Sequence, residues 1–431
     1  MQSRTLLLSV LSVAALGAAA ALALSRSASQ AAAKTSAPES VSLADQTLAP
    51  ARIELLELAF ETASKMPLAP HVKDRSRAQE AVLDAALELD QPRRALAYAQ
   101  RIADWRSGAG YADLAVYLAR HGKADEARRF ADLAEGIADE LAHRIESGTE
   151  DENAFESPQD WQRDRIRAKV AAVHAWLGNE EHANELQAGV VPAEAGKVDA
   201  VHAMQSKEDD FDAQLAELDA VIATRVFEEV HNALDVYAQL YDRFFEDAAR
   251  RARVEARIEL AGRTLPAQIR IETLSQLVES ALAHGSRESA LALVQKAQTL
   301  MDESNWTPEF QARLGAELAA LRHRAGDTEE ARRRADAALA LFEKNSAQIV
   351  DIERASVLRA IAEAYQTMQA QPEALRTYAK AVEVGLTNPN ARPRAEDLSA
   401  TCCSMARSGV APEAALLARL HQVYDSLGPP W

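Results

Sequence analysis

The sequence predicts an all-α chain of antiparallel helix pairs stacked as a right-handed α-solenoid. Three observations predict it. A turn phrase with glycine five residues before alanine recurs along the chain. Prolines keep to two phases of that phrase. An apolar residue stands seven places after nearly every such alanine. The phrase reads Gly122 to Ala127, Gly178 to Ala183, Gly285 to Ala290, Gly326 to Ala331 and Gly409 to Ala414. Glycine tolerates the positive φ that ends one helix, and Asp, Asn, Ser or Pro opens the next. Alanine at a fixed offset lets two helices approach closely.

Taken in order, residues 1–24 come first. Thr5 to Leu24 form an uncharged apolar run between Arg4 and Arg26, the pattern of an export signal or a retained membrane anchor. Ala21-Leu22-Ala23 and Ala31-Ala32-Ala33 offer small-residue cleavage sites. Residues 25–48 are rich in Ser and Ala and read as a flexible linker. Residues 49–431 form the repeat domain. Degenerate copies of the phrase put Ala95 and Ala374 in register, and weaker ones add Ala213 and Ala249. The marker alanines thus run Ala95, Ala127, Ala183, Ala213, Ala249, Ala290, Ala331, Ala374 and Ala414. Most steps are about 30 to 43 residues, within the span of helical repeats. The longer step from Ala127 to Ala183 accommodates an acidic insertion near residues 147–157. Pro70, Pro158, Pro192, Pro266, Pro308 and Pro393 mark the starts of first helices. Pro92, Pro372 and Pro412 fall in the first turn of second helices, where a missing N–H costs nothing.

Two copies carry more than the skeleton. Leu358, Ile361, Ala362 and Tyr365, followed by Ala374, Tyr378 and Ala381, keep the spacing of a tetratricopeptide repeat. Tyr111, Leu114, Ala115 and Leu118, followed by Ala127, Ala131 and Ala134, are similar. The chain resembles that family over roughly residues 70 to 425. The resemblance implies stacked helix pairs whose first helices line a concave groove for peptide or protein ligands.

Composition limits the partners. A net charge of −17 argues against nucleic acid and against anionic lipid. Aromatics are only 5%, so packing must rest on Ala and Leu. Cys402 and Cys403 are the only cysteines. Adjacent on one helix, they point apart and read as two small core residues.

The chain carries no recognisable catalytic or metal motif, and no cofactor is expected. Its ten histidines include no pair at i,i+4. His174 and His182 flank the turn at Gly178, so they are not expected to converge on a metal. Glu208-Asp209-Asp210-Phe211-Asp212 lacks the spacing of a diphosphate site and reads as a helix N-terminus, which acids favour. Glu150-Asp151-Glu152 reads as a solvated loop.

Within the resemblance, the expected ligand-binding residues are Arg120, His323, Arg324, Arg359 and Arg407, all on first helices. Together they would form a cationic strip for a peptide carboxylate or acidic segment. As helix-end charges they would instead complement helix dipoles. The expected function is a non-catalytic protein-interaction scaffold, periplasmic or anchored in the inner membrane facing the periplasm. The alternative is an all-helical enzyme or small-molecule binder with a pocket between repeats.

Overall fold

The computed structural model describes residues 43–147 and 159–431. The signal or anchor at 1–24, most of the linker and nearly all of the 147–157 insertion lie outside the described residues. The helices belong to one compact unit, residues 44–431. Asp45 and Gln46, within the stretch read as linker, are already tied to it. Gln46 donates its N–H to the Asp90 carbonyl at 2.9 Å, and Asp45 Oδ1 accepts from the Arg93 N–H at 2.7 Å.

Among the described residues there are nineteen α-helices and no strand. In chain order they are α1 (Pro50–Lys65), α2 (Leu68–Glu88), α3 (Pro92–Ala99), α4 (Arg106–Arg120), α5 (Ala124–Ser147), α6 (Asp160–Trp176) and α7 (Glu180–Gln187). Then come α8 (Lys197–Gln205), α9 (Phe211–Thr224), α10 (Phe227–Arg243), α11 (Ala248–Gly262), α12 (Ala267–Ala283) and α13 (Arg287–Asp302). The last are α14 (Pro308–Arg324), α15 (Thr328–Asn345), α16 (Asp351–Thr367), α17 (Gln371–Gly385), α18 (Ala391–Ser408) and α19 (Ala414–Ser426). This is the expected all-α, solenoid-like helical repeat.

Among the described residues, six helix pairs share one turn. A three-residue connection joins α2 to α3, α4 to α5, α6 to α7, α12 to α13, α14 to α15 and α16 to α17. Its second residue has positive φ: Gly122, Gly178, Gly285 and Gly326, but also Asp90 at 54° and Gln369 at 59°. The third residue returns its N–H to the carbonyl five places back. Asn179 bonds His174 O at 2.8 Å and Ala370 bonds Tyr365 O at 2.9 Å. That is the Schellman closure, which satisfies a carbonyl left open at the helix end.

The turn also sets the phase of the second helix. In these six pairs the marker alanine is the fourth residue of that helix: Ala95, Ala127, Ala183, Ala290, Ala331 and Ala374. All six are fully buried. Ala213, Ala249 and Ala414 are exposed, against expectation. Each follows a connection of four or five residues and stands third, second or first in its helix instead of fourth, and each such step moves a position by about 100° around the helix. The buried stripe of α9 is Phe211, Leu215 and Leu218, and that of α11 is Val254, Ile258 and Ala261. Ala220 and Ala256, expected on that stripe, are likewise exposed. The tetratricopeptide-spaced residues Leu358, Ile361, Tyr365, Ala374, Tyr378 and Ala381 are all buried.

The prolines sit near helix starts. Pro92 and Pro308 open α3 and α14, and Pro372 is the second residue of α17. Pro70 lies in the first turn of α2, beside a break in helical geometry at Ala69 and His71. Pro158 falls outside the described residues. Cys402 and Cys403 are buried free thiols on α18, as expected.

The even-numbered helices form an inner layer in which each packs on the next, from α2 through α18. The array does not stay open. Helix α18 packs on α2, and α1 packs along α18 in the place of a second helix. Arg52 Nε donates to the Ala406 carbonyl at 2.7 Å, and Ser399 Oγ donates to the Ala59 carbonyl at 3.0 Å. The last inner helix is therefore completed by the first helix of the domain, and the repeats close into a ring.

Candidate functional site

The closure creates a pocket. Helices α2, α16 and α18, all of the inner layer, enclose about 410 Å3. Their facing positions bring Arg77, Arg359, Arg407, Glu363, Glu396 and Asp397 into one lining, with Ser399, Cys403 and Ser404 between them. Ile352 stands at the edge and is 58% exposed, as is Val350 two residues earlier.

The arginines are held by acids from neighbouring helices. Arg359 Nη1 is 3.2 Å from Asp397 Oδ1, and Arg407 Nε is 2.6 Å from Glu88 Oε2. Arg77 Nη2 is 2.9 Å from Glu396 Oε1. Burial pushes the Asp397 carboxyl up to about 6, against the pull of Arg359. Burial also raises Glu363, opposed by a hydrogen bond from Ser404 and by Arg359 and Arg407. Burial lifts the Cys403 thiol to about 12, so it is inert as a nucleophile.

An acidic neighbourhood adjoins this pocket on α2 and α4. The Asp84 carboxyl is pushed up to about 7, first by burial and then by Asp113, with Lys169 and Arg407 opposing. Glu80 is raised by burial, while Arg165 at 2.9 Å, Lys169 and Arg106 hold its charge. Of these two carboxyls, Asp84 is the one brought near neutral pH.

The five expected binding residues do lie on inner-layer helices: Arg120 on α4, His323 and Arg324 on α14, Arg359 on α16 and Arg407 on α18. Only Arg359 and Arg407 share a pocket. Arg120 lies over the Trp176 ring, 5.7 Å from its centroid. Arg324 is paired with Glu279 of α12. His323 is half-buried with no partner at Nδ1. Because acids neutralise Arg324, Arg359 and Arg407, a strip of summed positive charge does not form. The missed partners have a signal: Asp397 and Glu279 stand about one repeat from the arginines they bind.

A second cavity of about 430 Å3 opens between α11, α12 and α13. Ile258, Leu274, Leu277, Leu293 and Leu300 floor it, with Glu255, Glu259, Arg270 and Lys296 at its rim.

His174 and His182, which flank the turn, come into direct contact. The turn at Gly178 folds α7 back on α6, so the last turn of one meets the first turn of the other. The rings stand edge to face with centroids 4.5 Å apart. His182 Nε2 is 3.2 Å from Glu135 Oε2 of α5.

Among known proteins, no family model matches this chain, and no curated protein does. Among solved structures, a circular tandem repeat protein with novel repeat topology and enhanced subunit contact surfaces is similar at 14% identity. The match covers 87% of this chain and 94% of that one, with a TM-score of 0.26. A score that low carries no argument, and the helical repeat fold rests on the helices themselves.

Proposed function

We propose that this chain is a non-catalytic interaction scaffold, a tetratricopeptide-like repeat array that binds a segment of another protein at the seam pocket. One observation carries the reading: exposed Ile352 at the lip of a pocket whose arginines and acids are already mutually paired. An apolar side chain of the partner would cover Ile352. Its polar backbone and carboxylate would exchange with the Arg359–Asp397 and Arg407–Glu88 pairs. The apolar run at Thr5 to Leu24 supports an exported or membrane-tethered chain facing the periplasm, and the acidic charge disfavours nucleic acid. Among the described residues no helix is long and apolar enough to cross a membrane.

The test is affinity purification with the wild-type chain and with an Ile352→Asp, Arg359→Ala double variant of unchanged circular dichroism. A protein retained by the first and lost by the second supports the reading. Equal retention by both rejects it. The second reading, a small-molecule binder, is favoured by the largely apolar 430 Å3 cavity between α11, α12 and α13. A co-purifying small molecule detected by native mass spectrometry, and lost on Leu277→Lys, would favour it.

A further inference from the structure

We propose that Glu135, His174 and His182 form a binding site for a divalent transition metal of the zinc class. They come from three successive helices, α5, α6 and α7, across a turn fixed by Gly178 at φ 76°. One donor atom of each lies within 4.8 Å of the others. Zinc bonds of about 2.1 Å in a tetrahedron put ligand atoms about 3.4 Å apart. The His182–Glu135 separation of 3.2 Å is already there, and the His174 donor lies within 4.8 Å of both.

Two further observations point to a ligand. His174 is 93% buried by its 7% exposure, and its Nε2 has no hydrogen-bond partner. A buried ring nitrogen without a partner is costly, and a metal bond would satisfy it. Meanwhile Nδ1 of His182 is 3.2 Å from Glu185 Oε2. That carboxylate fixes the ring and leaves Nε2 as the donor, the usual orienting arrangement behind a metal-bound imidazole. Asn179 lies 3.4 Å from His174 Nδ1 and can play the same part. Two imidazoles and a carboxylate suit Zn2+ better than a hard cation, and three protein ligands leave a fourth position for water. Asp132 adds negative charge near His174, while Arg128 opposes it.

The experiment uses the full untagged chain, titrated with Zn2+ by calorimetry and with Co2+ by visible absorption. The expected result is one saturable equivalent, tetrahedral Co2+ bands displaced by Zn2+, and a raised melting temperature with metal. His182 and Glu135 are partly exposed, so His182→Ala and Glu135→Gln should keep the helical circular dichroism signal. Each should weaken affinity at least tenfold and abolish the melting shift. No saturable binding, or equal affinity in both variants, would overturn the site.

Discussion

Two arcs of the ring solve the same packing problem differently. In the arc α14 to α17, residues 308–385, the core is built largely of alanine. Ala312, Ala316, Ala319, Ala335, Ala374 and Ala381 are buried alongside Phe342 and Tyr365. In the arc α8 to α11, residues 197–262, large side chains take over: Phe211, Leu215, Tyr237, Tyr241, Phe244 and Phe245. The first arc has three-residue turns. The second joins its pairs through Ser206–Asp210 and Phe244–Asp247. A short turn locks phase, and locked phase allows a small residue to recur at the contact. Where the turn lengthens, phase drifts, and bulk must fill what alanine no longer reaches. The 430 Å3 cavity lies at the end of the second arc, where α11 faces α12 and α13.

This contrast can be broken by substitution. The largest effect belongs to Phe211→Ala, since Phe211 is buried edge to face against Phe244 at 4.9 Å. It should cost about 3–5 kcal/mol in chemical denaturation, and a cost below about 1 would show the second arc to be loosely packed. Next comes Ala374→Leu in the alanine arc, where overpacking should cost about 1–3 kcal/mol. Ala213→Leu, at an exposed marker, should stay within about 0.5 kcal/mol. Equal costs at Ala374 and Ala213 would refute the phase argument.

The seam that joins the ring adds a pH test. Asp84 carries a carboxyl pushed up to about 7, against 3.8 in the unfolded chain. The folded state therefore binds the extra proton between those values, and stability should fall as pH rises from about 4 through 7. Asp84→Asn mimics the neutral acid. It should stabilise on the order of 1 kcal/mol at pH 8 and change little at pH 4. A pH-independent difference in thermal melting would argue against it. The smallest gain is at the turns. Gln369 holds positive φ where four other copies of its turn use glycine. Gln369→Gly should stabilise by up to about 1 kcal/mol, measured as a shift in the denaturation midpoint without change of slope.

The fold was largely legible because turn, proline and alanine act locally. Gly178 and Ala183 are fixed by residues within one turn of each other. Asp90 and Gln369 fill a glycine slot yet betray themselves by the Pro that comes shortly after. The drift at Ala213 and Ala249 was not legible, because alanine is too common to signal its own phase. The site was half legible. Arg359 and Arg407 could be assigned to inner helices, but Glu88 lies 319 residues from Arg407, and only ring closure brings them together. His174 and His182 escape sequence reasoning for a related reason. Flanking a turn suggests separation, whereas a three-residue Schellman turn folds its flanks together.

The pairing of α1 with α18 has a consequence for how the chain comes to be folded. An open array of repeats frays from its two outermost units, which have neighbours on one side only. A ring has no outermost unit, so no end is available to peel. Its first helix, however, must wait for its partner. Ser399 and Ala59 stand 340 residues apart, so during synthesis α1 has only its contacts with α2 and α3 until nearly the whole chain has emerged. The ordering entropy of that last step rises only slowly with chain length. Opening the circle elsewhere should therefore be tolerated. A circular permutant with its ends joined and new termini between the exposed Ala347 and Gln348, in the connection of α15 to α16, should fold to the same helix content. In it, α18 would lead to α1 through α19 and the joined end segments, and the late step would move to the new break.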